Sequence, residues 1–158
     1  MTTYPPIVLP PPTDLSWKRA ETIARALRAK GKANPFIVSA LANGYAESAW
    51  RPVIAGDHGQ SFGPFQMKWA FYGEPILAAI NVDIRTEPDL ARHVDAILFA
   101  LSMPANKATL AALEASKTGE EATRHWAAGF ERASAGGAVE RRVALAPHIE
   151  IWLAKNGA

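Results

Sequence analysis

Residues 43–66 contain the side chains whose types and spacing are best suited to chemistry. Glu47 shares one face of a predicted helix with Phe36 and Gly44, because residues separated by whole helical turns meet on one side. A carboxyl group at the end of such an apolar stripe loses hydration, which favours the protonated form that a general acid needs. Gly44 predicts room for a ligand beside this carboxyl. Glu47 is therefore the first candidate for a proton donor.

A structural alternative for Glu47 is an ion pair with Arg51, one helical turn later. The segment that follows favours the catalytic interpretation. It is rich in glycine and leads to a tight turn, after which Gln66 offers a neutral amide. Hydrogen-bonding loop side chains beside an acid suit a polar, polyhydroxylated ligand. We therefore expect a binding cleft in this part of the chain.

The rest of the chain must position these residues, and its apolar periodicity predicts a mainly α fold. One glycine-rich turn or small β-hairpin region is predicted around residues 55–66. Caps, prolines and glycines predict helices at about residues 15–30, 34–48, 74–80, 88–101, 106–115, 118–130 and 138–155, the last one bent or split at Pro147.

The N-terminus differs in composition from the remainder of the chain. Five of the twelve prolines fall within residues 1–12, which predicts an extended arm with polyproline character. We interpret this arm as a loose tail rather than a docked segment, because chain termini are usually mobile. No internal repeat or second linker is found, so residues 13–158 are predicted to form one domain.

Composition excludes several classes of protein. The chain has 158 residues, 49% of them hydrophobic, and no cysteine, which excludes disulfide scaffolds, thiolate metal sites and cysteine nucleophiles. The four histidines include no His-Glu-x-x-His spacing, and His58 and His93 are predicted to be exposed turn and helix-surface residues, so neither a metal nor a cofactor is expected. A net charge of +2 is too small for a nucleic-acid binder, and no apolar run is long enough for membrane insertion. The first residues also lack the pattern of a secretory signal.

Several short motifs, taken in order, resemble the signature of the lysozyme-like muramidases. Glu47-Ser48 followed by residues 61–66 is similar to goose-type lysozymes, soluble lytic transglycosylases and, most closely, phage tail lysozymes. The run Gly-Asp-His-Gly at 56–59 fits the element that tail lysozymes place between them. Residues 129–132 and 140–142 resemble the later aromatic-Glu element and Arg-rich helix of that group. The resemblance implies a lysozyme-like catalytic domain over residues 13–158.

The resemblance also implies roles for individual residues. Glu47 matches the catalytic acid of the family, and Ser48 matches the serine that orients substrate in lytic transglycosylases. Pro64 departs from the pattern, since it stands where an aliphatic residue is common and removes a backbone N–H from the turn. The residues expected to bind substrate are Ser48, Ser61, Phe62, Gly63, Gln66, Phe130 and Glu131.

The identity of a second carboxylate stays open at this point. Asp57, which we take as the second catalytic candidate, would activate water for an inverting hydrolysis. Glu131 would do so from across the cleft, or would be a buried brace paired with Arg141 or Arg142. In the third alternative Glu47 acts alone, and a hydroxyl of the sugar attacks to leave a 1,6-anhydro end, as in lytic transglycosylases.

The sequence thus predicts a peptidoglycan muramidase that cleaves the β-1,4 bond between N-acetylmuramic acid and N-acetylglucosamine. We expect a phage or prophage lysin, either tail-associated or an antimicrobial endolysin. The alternatives are a lytic transglycosylase, a chitinase-like enzyme and a non-catalytic wall-binding tail module. The expected partners are peptidoglycan glycan strands, phage tail proteins or a lysis partner such as a holin. Synthesis is expected in the cytoplasm, with action on the wall after release or from a virion tail.

Overall fold

The computed structural model of the chain describes residues 4–133 and 136–157. It confirms a mainly α fold with a small antiparallel sheet. The helices are α1 (Trp17–Ala29), α2 (Asn34–Ser48), α3 (Glu74–Ile80), α4 (Leu90–Ser102), α5 (Lys107–Ala115), α6 (Gly119–His125), α7 (Ala138–Val143) and α8 (Ala146–Asn156), together with π-helical turns at Trp69–Gly73 and Trp126–Phe130 and a 3₁₀ turn at Pro104–Asn106. The strands are β1 (Ala55–Gly56), β2 (Ser61–Phe62) and β3 (Met67–Lys68).

Helix α2 is the centre of the fold. Its residues from Phe36 to Gly44 are all buried, and a helix that is apolar on every side must be surrounded by other elements. It packs against α1, α6, α7 and α8. The helix ends at Ser48, because Ala49 and Trp50 turn into the left-handed conformation with φ of 54° and 62°. The last turn of α2, which carries Glu47, therefore emerges from the core next to the sheet.

The glycine-rich segment forms a three-stranded meander. Ala55 and Gly56 of β1 pair with Phe62 and Ser61 of β2, which in turn pairs with β3. The hairpin prediction for residues 55–66 is confirmed, and the third strand extends the sheet to Lys68.

Local signals placed several helix boundaries correctly. The predicted cap is formed, because Thr118 Oγ1 accepts from the Glu121 backbone N–H at 3.1 Å, while a Glu121 carboxylate oxygen accepts from the N–H of Lys117, one residue before the cap, at 3.0 Å. The last predicted helix is split into α7 and α8, with Pro147 in the first turn of α8, where its missing N–H needs no partner.

The N-terminal arm, residues 4–12, is docked, so the prediction of a loose tail is wrong. Tyr45 donates its hydroxyl hydrogen to Val8 O at 2.7 Å, and Trp17 Nε1 lies 3.2 and 3.1 Å from the carbonyl oxygens of Pro10 and Pro11. Prolines keep their carbonyl acceptors although they lack N–H groups. The backbone carbonyl groups of the extended arm therefore accept hydrogen bonds from side chains on the helices.

Helix α4 and the helical segment that follows it are the most relevant to membrane insertion. In the part of the chain that the structure describes, no helix is by itself both long and apolar enough to cross a membrane. Leu90–Ser102 and Pro104–Ala115 reach the required length and composition only when taken together, as a pair bent by 81°.

Candidate functional site

Glu47 forms an ion pair with Arg142, a residue of α7. Arg142 Nη2 lies 2.7 Å from Glu47 Oε1, and the two side chains are only 14% and 20% exposed. The structural alternative, a pair between Glu47 and Arg51, is not formed, because α2 ends at Ser48 and the helical register is lost before residue 51. Arg51 Nε instead donates to the Ser48 carbonyl at 3.0 Å.

Asn43 is a second anchor for the same guanidinium, and sequence reasoning missed it. It is fully buried one turn before Glu47, its Nδ2 donates to Ser39 O at 2.9 Å, and its Oδ1 accepts from Arg142 Nη1 at 3.3 Å. The i, i+4 spacing of Asn43 and Glu47 on one helix face was a readable signal. Together the Asn43 and Glu47 side chains fix the position of the Arg142 guanidinium.

Glu131 is placed by the π-helical turn that follows α6. Its backbone N–H donates to Trp126 O at 3.1 Å, an i→i−5 bond that widens the helix at this turn. The same turn brings the side chains of Trp126 and Glu131 together, and Trp126 Nε1 donates to Glu131 Oε1 at 3.1 Å. The sequence gives no sign of this turn, since residues five apart do not share a face of an α-helix.

The carboxyl groups of Glu131 and Glu47 are neighbours, close enough for the charge of one to act on the other. Burial raises the pKa of Glu131 well above its ordinary value, and the charge of Glu47 raises it further. The Trp126 N–H and the Arg142 guanidinium act in the opposite direction. Hereafter Asn43, Glu47, Trp126, Glu131 and Arg142 are called the carboxyl cluster.

An aromatic pair lies beside the cluster. Phe130, which precedes Glu131, is buried and stacks on Tyr72 with ring centroids 5.4 Å apart and planes 30° apart. Asn106 Nδ2 lies 3.2 Å from the Tyr72 hydroxyl, which fixes that ring. Phe130 also makes an edge contact with Trp126 at 5.9 Å. The predicted cleft residue Phe130 thus packs between the cluster and the half-buried Tyr72.

Residues 63–66 form a turn that is bound to the end of α2. The Ser48 hydroxyl lies 2.8 Å from Pro64 O and 3.0 Å from Gly44 O, so it donates to either. The Gln66 amide nitrogen donates to Gly63 O at 2.9 Å, and its oxygen lies against Gly56, where a Cβ would overlap it. Pro64 contributes its carbonyl to this arrangement, so its missing N–H is not needed.

His93 packs against the turn at residues 63–66, and the prediction that it lies on the surface is wrong. The residue is fully buried, and its Nε2 lies 2.7 Å from Glu87 O, so that nitrogen carries the hydrogen. Burial lowers the pKa of His93 and keeps the ring neutral. Gly63, at φ 80°, fits over the ring, because a Cβ there would be 3.0 Å from His93 Cε1. The tight turn therefore depends on a packed contact with α4.

The other predicted binding residues lie in the sheet or the turn region. Ser61 is buried in β2, and the half-buried Phe62 packs against the hydrophobic core. The predicted space beside Gly44 is filled by Phe65 and Trp50, whose ring atoms lie 3.4 Å from the position of a Cβ. The substrate-binding roles of Ser48, Ser61, Phe62, Gly63 and Gln66 stay predictions.

Asp57 lies outside the carboxyl cluster. Its side chain is 48% exposed, and its carboxylate pairs with Lys68 Nζ at 3.3 Å across the meander. His58, beside it, is exposed as predicted. Over residues 4–133 and 136–157, no three His, Asp or Glu side chains come together as a group that would hold a metal ion.

A separate cavity of about 940 Å³ lies between the N-terminal arm and helices α7 and α8. Its lining is mainly apolar and includes Leu9, Leu145 and Trp152. Neither Glu47 nor Glu131 lines it, so the cavity does not mark the location of the cluster.

A family model described as phage tail lysozyme matches residues 18–150. Comparisons with curated proteins and with solved structures each give no significant match. The matched range contains every member of the carboxyl cluster and the turn at residues 63–66. The resemblance to phage tail lysozymes seen in the sequence is therefore confirmed.

Proposed function

The chain belongs to the phage tail lysozyme family, and we propose that it cleaves the β-1,4 bond between N-acetylmuramic acid and N-acetylglucosamine in peptidoglycan, with Glu47 as the general acid. Membership of the family supports a peptidoglycan-acting enzyme. The observation that carries the role of Glu47 is its place in the carboxyl cluster. Its carboxyl group is largely shielded from water at the end of α2 and next to the turn at residues 63–66.

Glycosidic cleavage requires a proton for the leaving oxygen as the C1–O bond breaks and positive charge develops at the sugar carbon. The Glu47 side chain is 20% exposed, which leaves it accessible to a ligand. Because little water reaches it, charges near it interact more strongly than they would in bulk solvent. Gln66 and Ser48 hold the neighbouring turn in place rather than reaching into solvent. In this proposal the turn backbone around Gly63 forms one wall of the cleft, and Phe130 with Tyr72 supports the other.

The fate of the sugar cation distinguishes a hydrolase from a lytic transglycosylase. Asp57 is paired with Lys68 in an exposed meander, and the raised pKa of Glu131 favours its protonated form, which cannot take a proton from water. Both observations favour the alternative in which Glu47 acts without a second carboxylate and a hydroxyl of the muramic acid attacks. A two-carboxylate hydrolysis with Asp57 remains the competing mechanism, and the product ends separate the two.

The family description also supports a place for the protein in a phage tail. We propose that its partners are peptidoglycan strands and tail proteins, and that the protein reaches the wall with the virion.

The test is the release of fragments from purified peptidoglycan sacculi by the wild-type protein and by Glu47→Gln. We expect the variant to lose about 100-fold or more of the rate, the usual contribution of a general acid. Glu21→Gln is the matched control, because Glu21 is an exposed carboxylate paired with Arg25 on α1. Circular dichroism checks that all three proteins are folded.

Mass spectrometry of the fragments reads the mechanism. Reducing ends indicate hydrolysis, and 1,6-anhydro ends indicate lytic cleavage. Equal release by wild type and Glu47→Gln, or no release by the folded wild type, contradicts the proposed role of Glu47.

A further inference from the structure

The contacts of Glu47 raise a question about the proton that it must donate. The Arg142 guanidinium lies 2.7 Å from Glu47 Oε1, which is the geometry of a charge-assisted hydrogen bond in which Glu47 is the acceptor. A general acid must be protonated when substrate is cleaved. The resting proton is therefore better placed on a neighbouring group than on Glu47 itself.

Glu131 has the hydrogen-bonding pattern of such a neighbour. Trp126 Nε1 is only a donor, so Glu131 Oε1, which lies 3.1 Å from it, must accept. A proton on Glu131 therefore resides on the other oxygen, Oε2. Two neighbouring ionised carboxylates repel one another and offer no hydrogen, so a proton on one of the two carboxyl groups removes the repulsion and supplies a hydrogen-bond donor.

The charges of the cluster fit the same assignment. Glu131 is faced by Glu47 from α2, by Arg142 from α7 and by the neutral Trp126 N–H from its own turn. Glu47 is faced by Arg142 and Glu131, and the neutral Asn43 amide holds the guanidinium. With one proton on the two carboxyl groups, one negative charge balances the single positive charge of Arg142.

We propose that Glu47 and Glu131 hold one proton between them, which rests on Glu131 and passes to Glu47 when the glycosidic bond is cleaved. This inference rests on the proposed role of Glu47 as the acid. The proton of Glu131 Oε2 moves to Glu47, and Glu47 donates it to the leaving oxygen as the C1–O bond breaks. Both carboxyl groups are then ionised, and their charges are balanced by Arg142 and by the positive charge that develops at the sugar carbon. Attack by water or by the sugar hydroxyl at C1 releases a proton to Glu47, and transfer to Glu131 restores the resting state.

The titration of Glu131 supports the geometry. Its burial and the adjacent charge of Glu47 raise its pKa, so that it keeps its proton to higher pH than an ordinary glutamate. Glu131 is thus a positioning and proton-holding residue, while Glu47 is the group that meets the substrate.

The experiment compares wild type with Glu131→Gln in the sacculus assay across pH. The glutamine amide still donates a hydrogen bond to Glu47 but supplies no proton. We expect kcat near neutral pH to fall about tenfold, with KM little changed, and the basic limb of the kcat profile to move to lower pH by about one unit. Glu131→Asp, which retains a titratable carboxyl group, is expected to restore part of the basic limb. A Glu131→Gln enzyme with wild-type kcat and an unchanged profile overturns the proposal.

A second measurement does not depend on activity or on the folding of a variant. The side-chain carboxyl resonances of wild type labelled with ¹³C-glutamate are followed by NMR as pH is raised. One carboxyl group is expected to titrate clearly above the ordinary glutamate range. The wild-type titration alone therefore tests the proposal.

The two proposals fail in different ways. If every glutamate of the wild type titrates in the ordinary range, the shared proton is excluded whatever the activity of the protein. If Glu47→Gln is inactive and Glu131→Gln is fully active, Glu47 remains the acid and only the role of Glu131 is lost. If Glu47→Gln retains full activity, the proposed function itself is wrong.

Discussion

The carboxyl cluster and the meander at residues 55–68 both present acidic and polar side chains, but they are held together in opposite ways. In the meander the ion pair joins Asp57 to Lys68, and Gln66 bonds to Gly63 only three residues away. In the cluster Arg142 bonds to Glu47 and Asn43, which lie 95 and 99 positions earlier in the chain. The polar side-chain contacts of the meander join residues close in the chain, whereas those of the cluster exist only when the helices are packed.

Exposure separates the two regions as clearly as chain distance. The side chains of the Asp57–Lys68 pair are 48% and 49% exposed, whereas those of the Glu47–Arg142 pair are 20% and 14% exposed. Solvent screens the first pair, so it contributes little to stability or to the protonation of either group. The second pair lies where charges interact strongly. This difference makes the cluster the better place for acid chemistry, and three predictions test it.

The largest effect is expected from Arg142→Met, which removes the only described cation at the two carboxyl groups. Breaking one side of a shielded ion pair leaves negative charge uncompensated, so we expect the free energy of unfolding at neutral pH to fall by about 3 kcal/mol. The loss should shrink at acidic pH, because the carboxyl groups then take up protons. Urea denaturation at two pH values measures both effects.

Arg124→Met is the matched control for this prediction. Arg124 pairs with Glu140 at the surface, where the side chains are 50% and 66% exposed. We expect a much smaller change in stability and a smaller dependence of that change on pH than for Arg142→Met. Equal destabilisation by the two variants contradicts the distinction between the shielded and the exposed pair.

A smaller effect is expected where the meander leads into the packed turn, at Gly63. Gly63→Ala combines the strain of a positive φ with a close contact on His93, and we expect a loss of about 2 kcal/mol in the free energy of unfolding. Gly59 has the same φ of 80° but nothing within 4 Å of a Cβ. Gly59→Ala should cost only about 1 kcal/mol, from backbone strain alone. Thermal or urea unfolding of both variants measures the difference, and equal losses exclude a contribution from His93.

The smallest effect is expected from Asp57→Asn. Because Asp57 is exposed and paired within its own meander, its loss should change the rate of fragment release by less than about twofold and leave the product ends unchanged. Fragment release from sacculi, measured beside Glu47→Gln, provides the comparison. A loss of rate approaching that of Glu47→Gln assigns Asp57 to the mechanism and restores the two-carboxylate hydrolysis.

Much of the fold was accessible to prediction because its signals are local. Apolar periodicity, the Thr118–Glu121 capping box and Pro147 each act within one or two helical turns, and the structure places the elements accordingly. The same locality explains the errors. His93 was expected at the surface and the N-terminal arm was expected to be loose, because the chain near each gives no information about the packing of Gly63 on His93 or of Tyr45 on Val8.

The candidate site likewise combines features that local sequence determines with contacts that depend on the fold. The sequence by itself determined that Glu47 ends an apolar helix, that a glycine-rich turn follows it and that no thiol chemistry is available. Only the tertiary structure decided that Arg142 pairs with Glu47 and that Glu131 shares its environment. The physical reason is that helix and turn preferences depend on neighbouring residues, whereas these contacts require α2, α7 and the π-helical turn at Trp126–Phe130 to pack together. The proposed acid was therefore visible in the chain, but the partners that control its proton were not.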